Sequence, residues 1–162
     1  MYWRLELANI FLLPVMILFF LFMASQASGW LIWISYLPAA LLLLVGGLYW
    51  RAKWLQAQGC RAALDALLPW ADKCMAPLLW LTIGAAFVWL LALVRLLDGA
   101  SQGELIASGV FVLLAAAEYV NYYEVQLQHF DHGPDFARLL AGRGFRKSHL
   151  KRDLERFARG TR

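Results

Sequence analysis

Four apolar runs, each long enough to cross a bilayer, leave this chain few folds to choose from. A hydrocarbon core about 30 Å thick is spanned by roughly 20 residues of α-helix. Inside it, only helices and closed barrels satisfy their own backbone groups. The runs 7–24, 30–50, 75–94 and 105–123 are too long for barrel strands. The expected fold is therefore all-α: a four-transmembrane-helix bundle over residues 1–128, then a basic cytoplasmic tail over 129–162. Composition agrees, with 62% apolar and 15% aromatic residues, where soluble domains hold about 45–50% apolar.

The first run has a competing reading as a cleavable leader, because Ser25-Gln26-Ala27 resembles a small-residue cleavage site. Its apolar length favours a retained helix. The stretch 51–74 between the second and third runs carries Arg51, Lys53, Arg61 and Lys73. Its apolar positions Cys60, Leu64, Leu67, Leu68 and Ala71 follow a helical period. That pattern predicts an amphipathic helix lying in the interface and ending before Pro69.

Fourteen of the fifteen Lys and Arg fall in the N-terminus, the second loop and the tail, leaving Arg95 alone in the third loop. The positive-inside bias then places both termini in the cytoplasm. The tail carries nine of these cations against Asp135, Asp153 and Glu155. Ser148 is placed to cap a helix over 148–159, with Leu150, Leu154 and Phe157 along one side. Arg146, Lys147, Lys151, Arg152, Arg156 and Arg159 flank that side and suit anionic lipid or a protein partner. Charge held beside a bilayer makes nucleic acid the poorer partner.

The fourth run holds the most pointed chemistry. Glu118, Asn121 and Tyr122 stand at i, i+3 and i+4, one face of a helix. Counted from Leu105, Glu118 lies roughly 20 Å into the core. If the helix instead begins near Ser101, Glu118 comes close to the cytoplasmic headgroups. An acid in a span points to a proton, ion or ligand site. The plainer reading is a helix–helix hydrogen bond to Asn121, Tyr122 or Arg95. Beyond the run, His129, Asp131 and His132, with Glu124 and Asp135 nearby, are donors suited to a transition metal. Their spacing matches no zinc pattern, and Gly133-Pro134 favours a capped turn. Cys60 and Cys74 are not spaced as a redox pair.

The string Glu118-Tyr-Val-Asn-Tyr-Tyr-Glu-Val-Gln-Leu127, with Arg146-Lys-Ser-His-Leu-Lys-Arg-Asp-Leu154, resembles the C-terminal end of small uncharacterised bacterial four-span inner-membrane proteins. The resemblance implies no activity or cofactor. It implies that Glu118, Asn121 and the Lys147-Ser148-x-Leu150 region work together. No nucleophile elbow, phosphate loop or dinucleotide fingerprint is present in the sequence. The expected function is a non-enzymatic inner-membrane component, a homo-oligomer or an accessory subunit of a larger complex, with no cofactor. The alternatives are a small oligomeric transporter or proton pathway through Glu118, and a membrane enzyme with a cytoplasmic-face metal site.

Overall fold

The computed structural model describes residues 2–26, 28–97, 99–127 and 144–160. They are all-helical and contain no strand. The elements are α1 (Tyr2–Met23), α2 (Trp30–Ala57), α3 (Ala62–Leu93), α4 (Gln102–Tyr119), a π-helical turn (Val120–Glu124) and α5 (His149–Gly160). The four longer helices are long and apolar enough to cross a membrane. All four start before the residue that hydropathy alone suggests or run beyond it, because polar residues at the run ends stay helical.

Helix α2 is the centre of the bundle, packing against α1, α3 and α4. Its buried residues, including Leu31, Ser35, Ala39, Leu42, Val45 and Tyr49, lie along much of its length. At one end of the bundle, Leu42, Val45 and Tyr49 meet Leu64, Leu68 and Ala71 of α3, Tyr119 and Tyr123, and Leu150 of α5. At the other end, Leu21 of α1, Ile32 of α2, and Ala107 and Phe111 of α4 form a second cluster. Helix α1 is apolar on every side, and Phe11, Val15, Phe19 and Phe22 are all exposed. A helix with that pattern is compatible with an apolar medium around it.

Three helices stop by the same device. After α2, Gly59 donates to Gln56 O and Cys60 donates to Leu55 O, both at 3.0 Å. After α3, Arg95 donates to Ala92 O and Leu96 to Leu91 O; after α1, Ser25 donates to Phe22 O and Gln26 to Leu21 O. These paired bonds satisfy carbonyls the helix end leaves open. Each needs one left-handed residue: Gly59 at φ +92°, Arg95 at +62° and Ser25 at +52°.

The stretch 51–74 departs from expectation. It forms no separate interfacial helix: 51–57 complete α2, the break is 58–61, and 62–74 begin α3. The period of Leu64, Leu67, Leu68 and Ala71 is that of the first turns of α3, with Leu64, Leu68 and Ala71 facing the core, while Cys60 falls in the break. Helix α3 continues through Pro69 and Pro77. A membrane helix tolerates such prolines where neighbours cover the freed carbonyls.

Helix α4 opens on Ser101, whose Oγ accepts the Glu104 N–H at 3.1 Å. Ser101-Gln-Gly-Glu104 is a capping-box sequence, in which the acid ordinarily turns back to its own helix. Here Glu104 reaches across to α2, and its Oε1 accepts the Leu31 N–H at 3.0 Å.

Candidate functional site

Glu118 closes the last turn of α4, and Asn121 and Tyr122 fall in the π-helical turn behind it. The Val125 N–H donates to Val120 O at 2.8 Å across that turn. The wider turn changes the angular spacing of the face read from sequence. Glu118 hydrogen-bonds Asn121 through their side chains. The Asn121 Oδ1 also accepts the Leu127 N–H at 3.0 Å, which fixes the chain as it leaves the helix.

Tyr122 turns to a different partner. Its hydroxyl donates to Glu6 Oε1 at 2.8 Å, linking the turn after α4 to α1. The Trp50 side chain hydrogen-bonds Tyr122 as well. Gly46 makes room for the ring: a Cβ there would lie 2.0 Å from the Tyr122 Oη. Glu6 lies within electrostatic reach of Glu118. The site is thus two carboxylates from α1 and α4, with Tyr122, Asn121 and Trp50 around them. Glu118 Oε2 is sealed from solvent and has no hydrogen-bond partner among the described residues.

Helix α4 starts at Gln102, next to Ser101, and Glu118 is beside a residue only four positions into α1. It sits towards one end of the bundle. Arg95, at the far end of α3, is not its partner. The role of Glu6 was not legible from the sequence, where it stands just before the first apolar run. Its place four residues before Ile10, directly ahead of that run, is the signal that was available.

The C-terminal segment returns onto this end. Gln126 N–H donates to Arg146 O at 2.9 Å, and Ser148 N–H to Glu124 O at 3.2 Å. Ser148 Oγ donates to Tyr122 O and accepts the Lys151 N–H at 3.0 Å, so it caps α5 as the sequence predicts. Leu150, Leu154 and Phe157 turn inward against the core. Asp153 Oδ2 accepts from Tyr49 Oη at 2.8 Å and from Lys53 Nζ at 3.2 Å. Several of the candidate lipid-binding cations have internal partners. Lys147 pairs with Glu155 at 2.6 Å, Lys151 pairs with Glu124, and Arg152 bonds His149 Nδ1 at 3.0 Å. Arg159 donates to Glu155 O at 3.1 Å. Arg156 stands 3.8 Å from Asp153.

His129, Asp131 and His132 lie outside the described residues. Among the described residues, no group of three or more His, Cys, Asp or Glu is placed to hold a metal. Cys60 is exposed and Cys74 half-buried, both as free thiols. Compared with family models, curated proteins and solved structures, the chain matches none of them.

Proposed function

We propose that this chain is a non-enzymatic, multi-pass component of a bacterial inner membrane, with both ends in the cytoplasm, that assembles with further copies of itself. The observation that carries this reading is an open seam between α1 and α4. The two helices touch little, and a cavity of about 260 Å³ lies between them, lined by Ile17, Phe20, Leu21, Ile106 and Val110. Its walls are almost wholly apolar. A helix from a second copy fits such a seam, where association is driven by packing. The distribution of Lys and Arg supports the orientation.

The test is disulfide trapping between single-cysteine variants at Val110 and Ile17 in native membranes, followed by native electrophoresis in a mild detergent. Trapped dimers and a multimeric band are expected. A monomer under both conditions defeats the proposal.

The second reading, a proton or ion pathway through Glu118, is favoured by its unpartnered, solvent-sealed oxygen. Glu118→Gln keeps the shape and removes the charge. Proton or cation flux into proteoliposomes that is equal for both proteins, or absent from both, ends that reading.

A further inference from the structure

Beyond the carboxylate cluster, α2, α3 and α5 enclose a cleft of about 410 Å³. Lys53 and Gln56 of α2 form one wall, Arg61 and Leu64 of the α3 start a second, and Arg156 and Phe157 of α5 a third. Asp65 and Asp153 also line it. Asp153 is largely committed, since its Oδ2 already accepts from Tyr49 and Lys53. The two arginines are not. Their side chains are 77% and 72% exposed, and their nearest acids lie at 3.5 Å and 3.8 Å. Those separations are longer than the roughly 2.7–2.9 Å of a strong charge-assisted bond. Both guanidinium groups therefore have donors to spare. The cleft also receives the N-terminus of the 32-residue α3, whose N-cap residue Arg61 supplies no side-chain acceptor. The positive end of that helix, already shared with its first-turn Asp65, adds a smaller attraction for an anion.

The depth of the cleft selects the source of the anion. Trp3, Trp50 and Trp54 gather at this end, with the Arg51 guanidinium 5.8 Å from the Trp3 ring. Such rings mark the headgroup level. Lys53 and Gln56 lie two and five residues past Arg51, a rise of about 3 and 7.5 Å. The headgroup layer is of that thickness, since a bilayer about 40–45 Å across holds about 30 Å of hydrocarbon. We propose that this cleft seats the phosphodiester headgroup of an anionic membrane lipid, its phosphate between Arg61 and Arg156 above an apolar floor of Leu68 and Phe157. The inference rests on the membrane orientation given above. It narrows lipid contact from the basic tail at large to one cleft built partly by α2 and α3.

The full-length protein, purified in mild detergent, is mixed with phosphatidylglycerol or phosphatidylcholine, and bound lipid is counted by native mass spectrometry. Preferential retention of phosphatidylglycerol is expected. Arg61→Gln with Arg156→Gln is expected to cut that retention about tenfold or more, two near-surface cations being lost. Arg4→Gln with Arg51→Gln removes equal charge from the same end outside the cleft and is expected to keep the preference. Equal loss in both double variants overturns the cleft and leaves a diffuse basic surface. Retention unchanged by Arg61→Gln with Arg156→Gln also overturns it. Full displacement of the lipid by millimolar inorganic phosphate assigns the site to a free anion instead, against the proposal. Alkaline extraction of native membranes separates the two failures: release of the protein refutes the membrane reading itself.

Discussion

Glu104 Oε1 accepts the Leu31 N–H at 3.0 Å, so the acid that opens α4 also caps α2. Helix α2 has no cap of its own, because its N-cap residue is Gly29. A side chain at that position would collide with the visiting carboxylate: a Cβ on Gly29 would lie 2.3 Å from Glu104 Oε1. Glycine and glutamate form one unit. Both helices begin at the end of the bundle away from the carboxylate pair, and this contact holds those beginnings together.

Removing that carboxylate leaves a buried N–H without an acceptor, which costs about 1–3 kcal/mol. Glu104→Ala is therefore expected to lower the midpoint of thermal unfolding in detergent. Glu104→Gln, which retains a carbonyl oxygen, should lose much less. Gly29→Ala should resemble Glu104→Ala, since its methyl group expels the same carboxylate. Circular dichroism melts of the three variants check the order.

Arg95 and Ser25 hold left-handed backbone at helix ends where glycine is usual. For an L-residue that conformation costs about 1–2 kcal/mol, partly offset by the flexibility glycine adds to the unfolded chain. Arg95→Gly is expected to raise the melting midpoint, and Arg95→Ala to leave it unchanged or lower it. The comparison separates backbone strain from any role of the guanidinium.

Gly46 and Tyr122 supply a sharper case. The Tyr122 Cζ would be 2.1 Å from an added Cβ, so the ring itself, and not only its hydroxyl, fills the space. Gly46→Ala should cost about 1–3 kcal/mol by overpacking. Tyr122→Phe should cost about 1 kcal/mol, the net worth of its bond to Glu6. If Gly46→Ala is the milder of the two in denaturant titrations, the seat described here is wrong.

The four long apolar helices and the α5 helix were legible because their signals are local: apolar length for the first, Ser148 followed by Leu150, Leu154 and Phe157 for the second. The face shared by Glu118 and Asn121 was legible for the same reason, being one turn of helix. Glu6 was not, because its meaning depends on Tyr122, 116 residues away. Glu104 was hidden for a related reason. Its capping-box spacing pointed to its own helix, while the acceptor was used by another. The stretch 51–74 misled because one helical period serves equally for a helix lying in an interface and for the first turns of a longer helix packed in a core.

His149 gives the docking of α5 a pH dependence. Its ring packs against Trp50 with centroids 5.6 Å apart, and its Nδ1 sits 3.0 Å from an Arg152 guanidinium nitrogen. Arginine only donates, so this nitrogen must accept and the ring must be neutral. Burial, then the nearby Arg152 and Lys53 charges, hold the His149 pKa below its ordinary 6.5. A base whose pKa is depressed in the docked state favours docking when neutral. That contribution is complete above pH 6.5 and declines as pH falls below it, because the undocked ring takes up the proton first. Glu155, held below the ordinary carboxylate range by its hydrogen bond to Lys147, follows the same sign in a lower window, beneath 4.5. Trypsin cleavage within α5, at Arg152 and Arg156, is thus expected to quicken relative to cleavage at the exposed Arg95 after α3 between pH 7.5 and pH 5.5. His149→Gln should flatten that dependence. Leu150→Ala, which empties a position 1% exposed at a cost of about 2–5 kcal/mol, should quicken cleavage at both pH values. A wild-type cleavage ratio that is flat from pH 7.5 to 5.5 would remove His149 from the docking of this helix.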